Sequence, residues 1–251
     1  MVNENKTLYT VSQLENFDFE ISRDEIFINL SNDFCHDFLK IFSILNIKNI
    51  LSESEAELFI KHLTNHPNPI REAVAFKLED VVFSNKYFRS DFSINQMLNG
   101  IVDINPNVSR AICNILQKEN ELAQKLEKPI VDKLLALISE IKVFEKDHND
   151  SFDDKLKNRK YHAKNKKLFS LYWLLEALSC CLSQKYNSQV LEVVKYTINF
   201  TDYTIREKSA KILAIIKDAP FELLQKAKDD QNFYVKNQVY DKINFEIDKR
   251  N

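Results

Sequence analysis

Four nine-residue stretches share one hydrophobic pattern, and that repetition limits the folds open to this chain more than any other feature. They are Ile70–Leu78, Val108–Leu116, Ile205–Leu213 and Val235–Ile243. Each has an aliphatic residue at positions one and nine. Position five is Val74, Ile112, Ser209 or Val239, and position six is Ala75, Cys113, Ala210 or Tyr240. A turn cluster rich in Asn, Asp and Pro precedes each stretch. Positions one, five, six and nine fall on one face of a helix, which would pack against a partner helix and the next repeat. A unit recurring in this way points to a stacked helical repeat.

The glycine count supports the same reading. Gly100 is the only glycine in 251 residues. Sheets with tight hairpins and glycine-rich phosphate loops need residues that tolerate positive φ or close backbone approach. Their scarcity predicts helices joined by short polar turns, and it excludes Rossmann and P-loop sites, since neither motif can be written with one glycine. The formal charge is −2, from 35 basic and 37 acidic residues. That balance argues against nucleic acid as a partner, because phosphate neutralisation supplies most of the affinity of such binders. Residues Met1 to Thr10 are polar and lack the apolar core of a signal peptide, which predicts a cytoplasmic protein. The longest apolar stretch, Leu168 to Leu182, is 15 residues long and contains Glu176. A typical membrane span needs about 20, so no membrane association is expected. Cys35, Cys113, Cys180 and Cys181 form no C-x-x-C pair, and buried free thiols are expected.

The periodicity predicts about five helix pairs behind an N-terminal cap. Residues 1–32 form the cap segment, apolar without a sustained helical period. Helical repeats fill 33–144, starting with a helix from Asp33 to Ile47 that carries Phe34, Phe38, Ile41, Phe42 and Leu45. Ser54-Glu55-Ala56-Glu57 has capping-box form, and the turn His66-Pro67-Asn68-Pro69 separates that helix from its partner. The next pair is Ser93 to Asp103 and Val108 onward, its second helix running through Leu122 and Leu126 and stopping before Pro129. Motif starts at 70, 108, 205 and 235 leave a middle interval of 97 residues, wide enough to hide a degenerate repeat made of Pro129–Phe144 and Leu168–Leu182. Between these lies 145–167, acidic then basic, expected to be a mobile charged insertion. Repeats resume over 168–251, with pairs Ser188–Asn199 and Thr204–Lys217, then Phe221–Asp229 and Phe233–Ile247.

The aligned stretches resemble HEAT repeats. Asn65-His66-Pro67-Asn68-Pro69-Ile70-Arg71 with Val74-Ala75 and Leu78 is the closest copy of that family's second helix. Ile205-Arg206 with Ser209-Ala210 and Ile212-Leu213 is the second. Ser109 and Lys236 replace the family arginine elsewhere, Tyr240 replaces a small residue, and the family glycine after the last leucine is absent. The resemblance covers roughly 54–120 and 185–247. It implies an all-α fold, an α-α superhelix or solenoid, whose common use is protein binding. Arg71, Arg206 and Lys236 at position two, with Asn65, Asp103 and Asp230 before the turns, are expected to form a ladder between repeats.

No acid, base and nucleophile converge in the sequence, so the leading expectation is a non-catalytic scaffold without cofactor or metal. Its partner is a protein or peptide bound on the concave surface of the second helices. The residues pointing there are Glu72, Phe76, Arg110, Asn114, Glu207, Lys208, Lys211, Asn237, Gln238 and Asp241. Phe76 is singled out at position seven, where Asn114, Lys211 and Asp241 stand in the other repeats. Either the amino-terminal segment covers it or it anchors a partner. His62 and His66 are spaced i, i+4, but Leu63 stands where a zinc protease needs Glu, and no third ligand is evident. The iron-holding hydroxylases built on such repeats use His-Glu dipeptides, which this chain lacks. Two alternatives stand beside the scaffold: a DNA-glycosylase-like nucleic-acid binder using the bases of 155–167, and a HEAT-like tetrapyrrole lyase with an aromatic cleft.

Overall fold

Each of the four motif stretches forms the body of one helix, and their apolar positions leave water together. Ile70, Val74 and Leu78 are buried, as are Val108, Ile112 and Leu116, then Ile205, Ser209 and Leu213, then Val235, Val239 and Ile243. At position six Ala75, Cys113 and Ala210 are also buried, whereas Tyr240 is 59% exposed. The computed structural model describes residues 21–48, 50–146 and 154–248, which are helix and turn without any strand.

Twelve α-helices lie among the described residues. In chain order they are α1 (Arg23–Ser31), α2 (Asp37–Leu45), α3 (Glu53–Lys61), α4 (Asn68–Val81), α5 (Asp91–Ile101), α6 (Pro106–Lys118), α7 (Asn120–Lys146), α8 (Asp154–Cys181), α9 (Asn187–Thr197), α10 (Tyr203–Ile215), α11 (Phe221–Lys228) and α12 (Phe233–Asp248). Two short 3-10 turns, Val82–Ser84 and Lys86–Arg89, join α4 to α5. No helix among the described residues is long and apolar enough to cross a membrane. All four cysteines are free; Cys113 and Cys181 are buried, but Cys35 and Cys180 only in part.

Local chemistry moves several boundaries from their expected places. The segment before residue 33 contains a helix, α1, closed by a capping box in which Ser22 and Glu25 satisfy each other's backbone N–H groups. Only Ile26 and Leu30 of α1 are buried while Ile28 is exposed, so the apolar pattern carries no clear period. Residues 1–20 of the expected cap lie outside the described residues. Helix α2 starts at Asp37 because His36 caps it, accepting from Phe38 N–H at 3.2 Å, and this leaves Phe34 exposed in the preceding turn. The cap of α3 is Ser52 rather than Ser54. Both fit the motif, but Glu55 reaches back to Ser52 N–H at 2.6 Å, so the reciprocal bond closes two residues earlier.

Two larger corrections concern the middle of the chain. Helix α6 stops at Lys118, and α7 then runs through Pro129 instead of stopping before it. Leu122, Leu126, Ile130 and Leu134 keep one buried face across the proline. Burying each is worth about 1.5–3 kcal/mol, which outweighs the roughly 3 kcal/mol that an interior proline costs. Where the expected insertion is described, at 145–146 and 154–167, the backbone is helical; 147–153 lie outside the described residues. Lysine and arginine are good helix formers despite their polarity, so a charged composition does not by itself mean a mobile chain. Lys167 ion-pairs with Glu140 of α7, and α8 packs along α7.

The described chain divides into two compact units, one of 21–100 with 105–115, the other of 101–104 with 116–248. In the first, α1 packs on α2 and α3, and α4 on α2 and α3. Phe59 and Phe88 meet edge to face at 5.9 Å in its core. Asn85 is buried there but paired, donating to the Val81 carbonyl at 2.7 Å and accepting from Leu51 N–H at 2.8 Å. In the second unit α8, α10 and α12 lie side by side. Helix α7 packs on α8, α9 on α7 and α10, and α11 on α10 and α12.

The lone glycine has a packing reason. A Cβ on Gly100 of α5 would stand 2.5 Å from Ile112 Cδ1 on α6 and 3.2 Å from Leu63 Cδ2. Gly100→Ala therefore sets a steric cost of about 1–3 kcal/mol against a helix-propensity gain of about 1 kcal/mol. The expected result in urea denaturation is a net loss of about 1 kcal/mol. Adding Ile112→Val, which removes the clashing methyl, should give a double variant more stable than the sum of the single changes predicts; simple additivity would refute the close-approach account.

Candidate functional site

Positions three and seven of each second helix, and position four of α10 and α12, reach the surface, and these are where the expected partner-binding residues stand; at position four of α4 and α6, Ala73 and Ala111 are buried. In the first unit Glu72 is half-buried and occupied. Asn105 Nδ2 donates to its Oε2 at 3.0 Å and Asn107 Nδ2 to its Oε1 at 2.9 Å, so it holds the turn before α6. Arg110 is exposed and donates to Asn107 Oδ1 at 3.1 Å. Asn114 is half-buried, and Phe76 is 40% exposed on a helix whose aliphatic residues are sealed.

In the second unit the same positions form a denser network. Lys208 and Lys211 of α10 both reach Glu176 of α8, at 3.1 Å to Oε2 and 2.8 Å to Oε1. Lys208 also lies 3.8 Å from Glu207 and sits 5.0 Å above the Tyr172 ring. Gln238 of α12 donates to Glu207 at 3.3 Å. Burial pulls the Glu176 carboxyl upward, but the hydrogen bond from Lys211 and the two lysine charges override it and hold it below the usual carboxylate range. Burial likewise opposes the Lys208 charge, and Glu176 overrides that, raising its pKa. Asn237 and Asp241 stay exposed on α12. The surface residues thus separate into those spent on neighbouring helices (Glu72, Glu207, Lys208, Lys211 and Gln238) and those facing water.

Glu176 and Tyr172 also belong to this surface and are absent from the residues that the sequence points to. The signal for Glu176 was available: aligning Leu174, Leu178 and Leu182 with positions one, five and nine puts Glu176 at position three, like Glu72 and Glu207. Trp173 is buried against Phe169 and Tyr172, and its indole N–H has no hydrogen-bond partner.

Of the position-two ladder, one rung is clear. Arg206 donates from Nε and Nη2 to the two oxygens of Asp230, at 2.6 and 3.1 Å, and from Nη1 to the carbonyls of Phe200 and Thr201. The bidentate bond leads the shifts of both groups, raising the guanidinium pKa and lowering that of the carboxylate. Arg71 also donates within its own loop, to the His66 carbonyl and to Asn68 Oδ1 at 2.7 Å. A cleft of about 640 Å³ beside Arg206 is lined also by Lys226, Asp229 and Asp230, and its strongest cation and anion already neutralise each other.

His62 and His66 stack face to face, 4.3 Å between ring centres and 15° apart. His62 is buried, with Nδ1 2.8 Å from the Leu58 carbonyl, which fixes the proton on Nδ1. Burial, only partly opposed by that hydrogen bond and reinforced by the nearby His66, Lys40 and Lys61, pushes its pKa down to about 4. Among the described residues no three His, Cys, Asp or Glu side chains are placed to share a metal ion.

No family model and no curated protein matches the chain. Among solved structures it is similar to the crystal structure of an engineered protein at 15% identity, covering 93% of this chain and 95% of that one, with a TM-score of 0.42. So slight a likeness carries no argument about either fold or activity.

Two outcomes are expected from these geometries. The His62 pKa is depressed, so the unfolded chain takes up a proton that the folded one refuses as pH falls from 6.5 to about 4. Stability should be lost across that window, and in chemical denaturation His62→Gln should flatten the slope. An unchanged slope would show that His62 titrates normally. Glu176→Ala should cost roughly 2–3 kcal/mol by leaving Lys208 half-buried without its counter-charge. Lys208→Met in the same chain should recover most of it, whereas a double variant that loses the sum of the two single losses would mean the pair is not coupled.

Proposed function

We propose that this protein is a non-catalytic scaffold of HEAT-like stacked helix pairs that binds a protein or peptide along the surface of its second helices. The observation that carries this reading is the division of labour within the repeated motif. Positions one, five and nine are sealed on four helices, while positions three and seven of the same helices reach the surface. Within each unit this sets chemically varied side chains beside a sealed seam, which suits an extended partner better than a small substrate. Support for repeat stacking comes from the second unit, where α8, α10 and α12 adjoin in order and are bridged at equivalent positions by Glu176–Lys208 and Glu207–Gln238.

The binding residues in this reading are those not tied to a neighbouring helix. Phe76 is the apolar anchor, with Arg110 on the next second helix, and Asn237 and Asp241 serve the last one. Aromatic residues and arginine are among the residue types enriched in interface hot spots.

The test is capture of partners from a native extract, followed by mass spectrometry. Phe76→Glu combined with Arg110→Glu should weaken recovery of the principal partner at least about tenfold, equivalent to roughly 1.4 kcal/mol. Both side chains are exposed, so the melting temperature should hardly move. An unaltered capture profile with the fold intact would remove this surface from consideration.

A further inference from the structure

Helix α1 carries apolar residues on two faces, and the first unit buries only one of them. Ile26 and Leu30 are sealed, whereas Ile28 between them is 62% exposed. Helix α2, packed beside α1, shows the same division. Its Ile41 and Ile44 are buried, and Leu39, roughly opposite them around the helix, is 44% exposed. Phe38 and Phe42, one turn apart, stack with ring centres 6.4 Å apart and 5° between their planes. Ile28, Phe38, Leu39 and Phe42, with Ile21 at one end, line a groove of about 430 Å³. That volume falls within the usual range of protein binding sites.

The charge around this groove has one sign. Glu25 lines it, and no basic residue does among the described residues. Hydrogen bonds from Ser22 lower the Glu25 pKa, so the carboxylate is ionised throughout the neutral range. From 21 to 39 the chain holds four acids, Asp24, Glu25, Asp33 and Asp37, against one base, Arg23. Arg23 is already bound by Glu55 at 2.5 Å.

We propose that the groove takes a short amphipathic helix of a partner protein, with lysine or arginine flanking its apolar face. A cleft between two packed helices accepts the apolar ridge of a third, whose side chains at i, i+4 and i+7 drop between those of the walls. Helices α1 and α2 have nine residues each, so the occupant meets them over about 13 Å, or about three turns. A contact this small gives a weak, reversible complex rather than a permanent one. It lies on α1 and α2, apart from the second-helix residues of the proposed scaffold surface. Two occupants from the chain itself match the charge less well. Residues 1–20 hold Glu4, Glu15, Asp18 and Glu20 against Lys6 alone, the same sign as the groove. A second copy would bring its own Glu25 against like charge.

Two labelled peptides of about 18 residues, long enough to form a helix, serve as probes in fluorescence anisotropy with the full chain. One is built of leucine and lysine at helical spacing, and the other has glutamate in place of lysine. The leucine–lysine peptide should bind with a Kd of about 10–100 µM and the leucine–glutamate peptide at least about tenfold more weakly. The first affinity should fall as salt rises. Ile28→Lys or Leu39→Lys should weaken it at least about tenfold, with the melting temperature unchanged because both side chains are exposed. Tyr240→Lys, the same charge change on an exposed ring of the second unit, should leave it unaltered. Equal binding of the two peptides, a loss matched by Tyr240→Lys, indifference to both groove substitutions, or no binding below about 1 mM would overturn the proposal. So would displacement of the probe by an unlabelled peptide of residues 1–20, which would give the groove to the chain's own start. A lower sedimentation mass for Leu39→Lys than for the unaltered chain would give it to a second copy, and would overturn the proposal equally.

Discussion

A few aliphatic side chains that no isolated helix pair can hide hold the second unit together. Val235, Val239 and Ile243 form a single buried line on α12, and Ile205, Ile212 and Leu213 do the same work on α10. Each contributes about 1.5–3 kcal/mol only when a neighbouring helix removes it from water. Helix propensity is too weak to substitute for this, since isolated helices of 13 to 16 residues, the lengths of α10 and α12, are marginal in water. Secondary structure and packing are therefore one event here.

Several buried polar groups of the second unit are answered by neighbours. Ser209 stands where the motif otherwise has an aliphatic residue, and its Oγ lies 2.7 Å from Thr197 Oγ1 and 2.8 Å from the Ile205 carbonyl. Thr197 donates onward to the Val193 carbonyl at 2.9 Å, so the pair stitches α9 to α10 without an orphaned hydroxyl. Glu127 is buried on α7 and accepts from the backbone N–H of Ser183 at 2.9 Å and from its hydroxyl. The next residue, Gln184, has a φ of 72°, a conformation that non-glycine residues rarely adopt. Its side chain accepts from Lys217 N–H at 3.0 Å and donates to the Ile215 carbonyl at 3.2 Å. A turn with little apolar content is fixed by hydrogen bonds where a glycine would otherwise have eased the bend.

What could be read from residues alone follows from how local each cause is. The four motif helices and their turns were legible because Asn, Asp and Pro mark helix starts by local chemistry, and the 3.6-residue period survives short windows. Ser52 and Ser54 were indistinguishable, since each has a glutamate three residues on and only the observed reciprocal bond selects one. Pro129 misleads because its cost is local while the compensating Leu122-to-Leu134 stripe is spread over three turns. The 154–167 helix was hidden by a composition rule that weighs charge and ignores helix propensity. The candidate surface was legible by position but not by availability. That Glu72, Lys208 and Lys211 are occupied depends on Asn105, Asn107 and Glu176, which are distant in sequence.

That occupancy limits how the second-helix surface can recognise anything. An anionic group approaching Lys208 and Lys211 must displace Glu176, whose carboxylate those lysines already stabilise, so the exchange trades one charged contact for another and yields little. A cation approaching Glu207 meets Lys208 first. Within the second unit, charge is therefore a device for joining helices, and the groups outside the network are the exposed Asn237 and Asp241 and the aromatic rings of α12. In the first unit Phe76 is likewise exposed one turn from a glutamate that its neighbours consume. In the proposed scaffold, recognition would therefore rest on shape and aromatic contact more than on these paired charges.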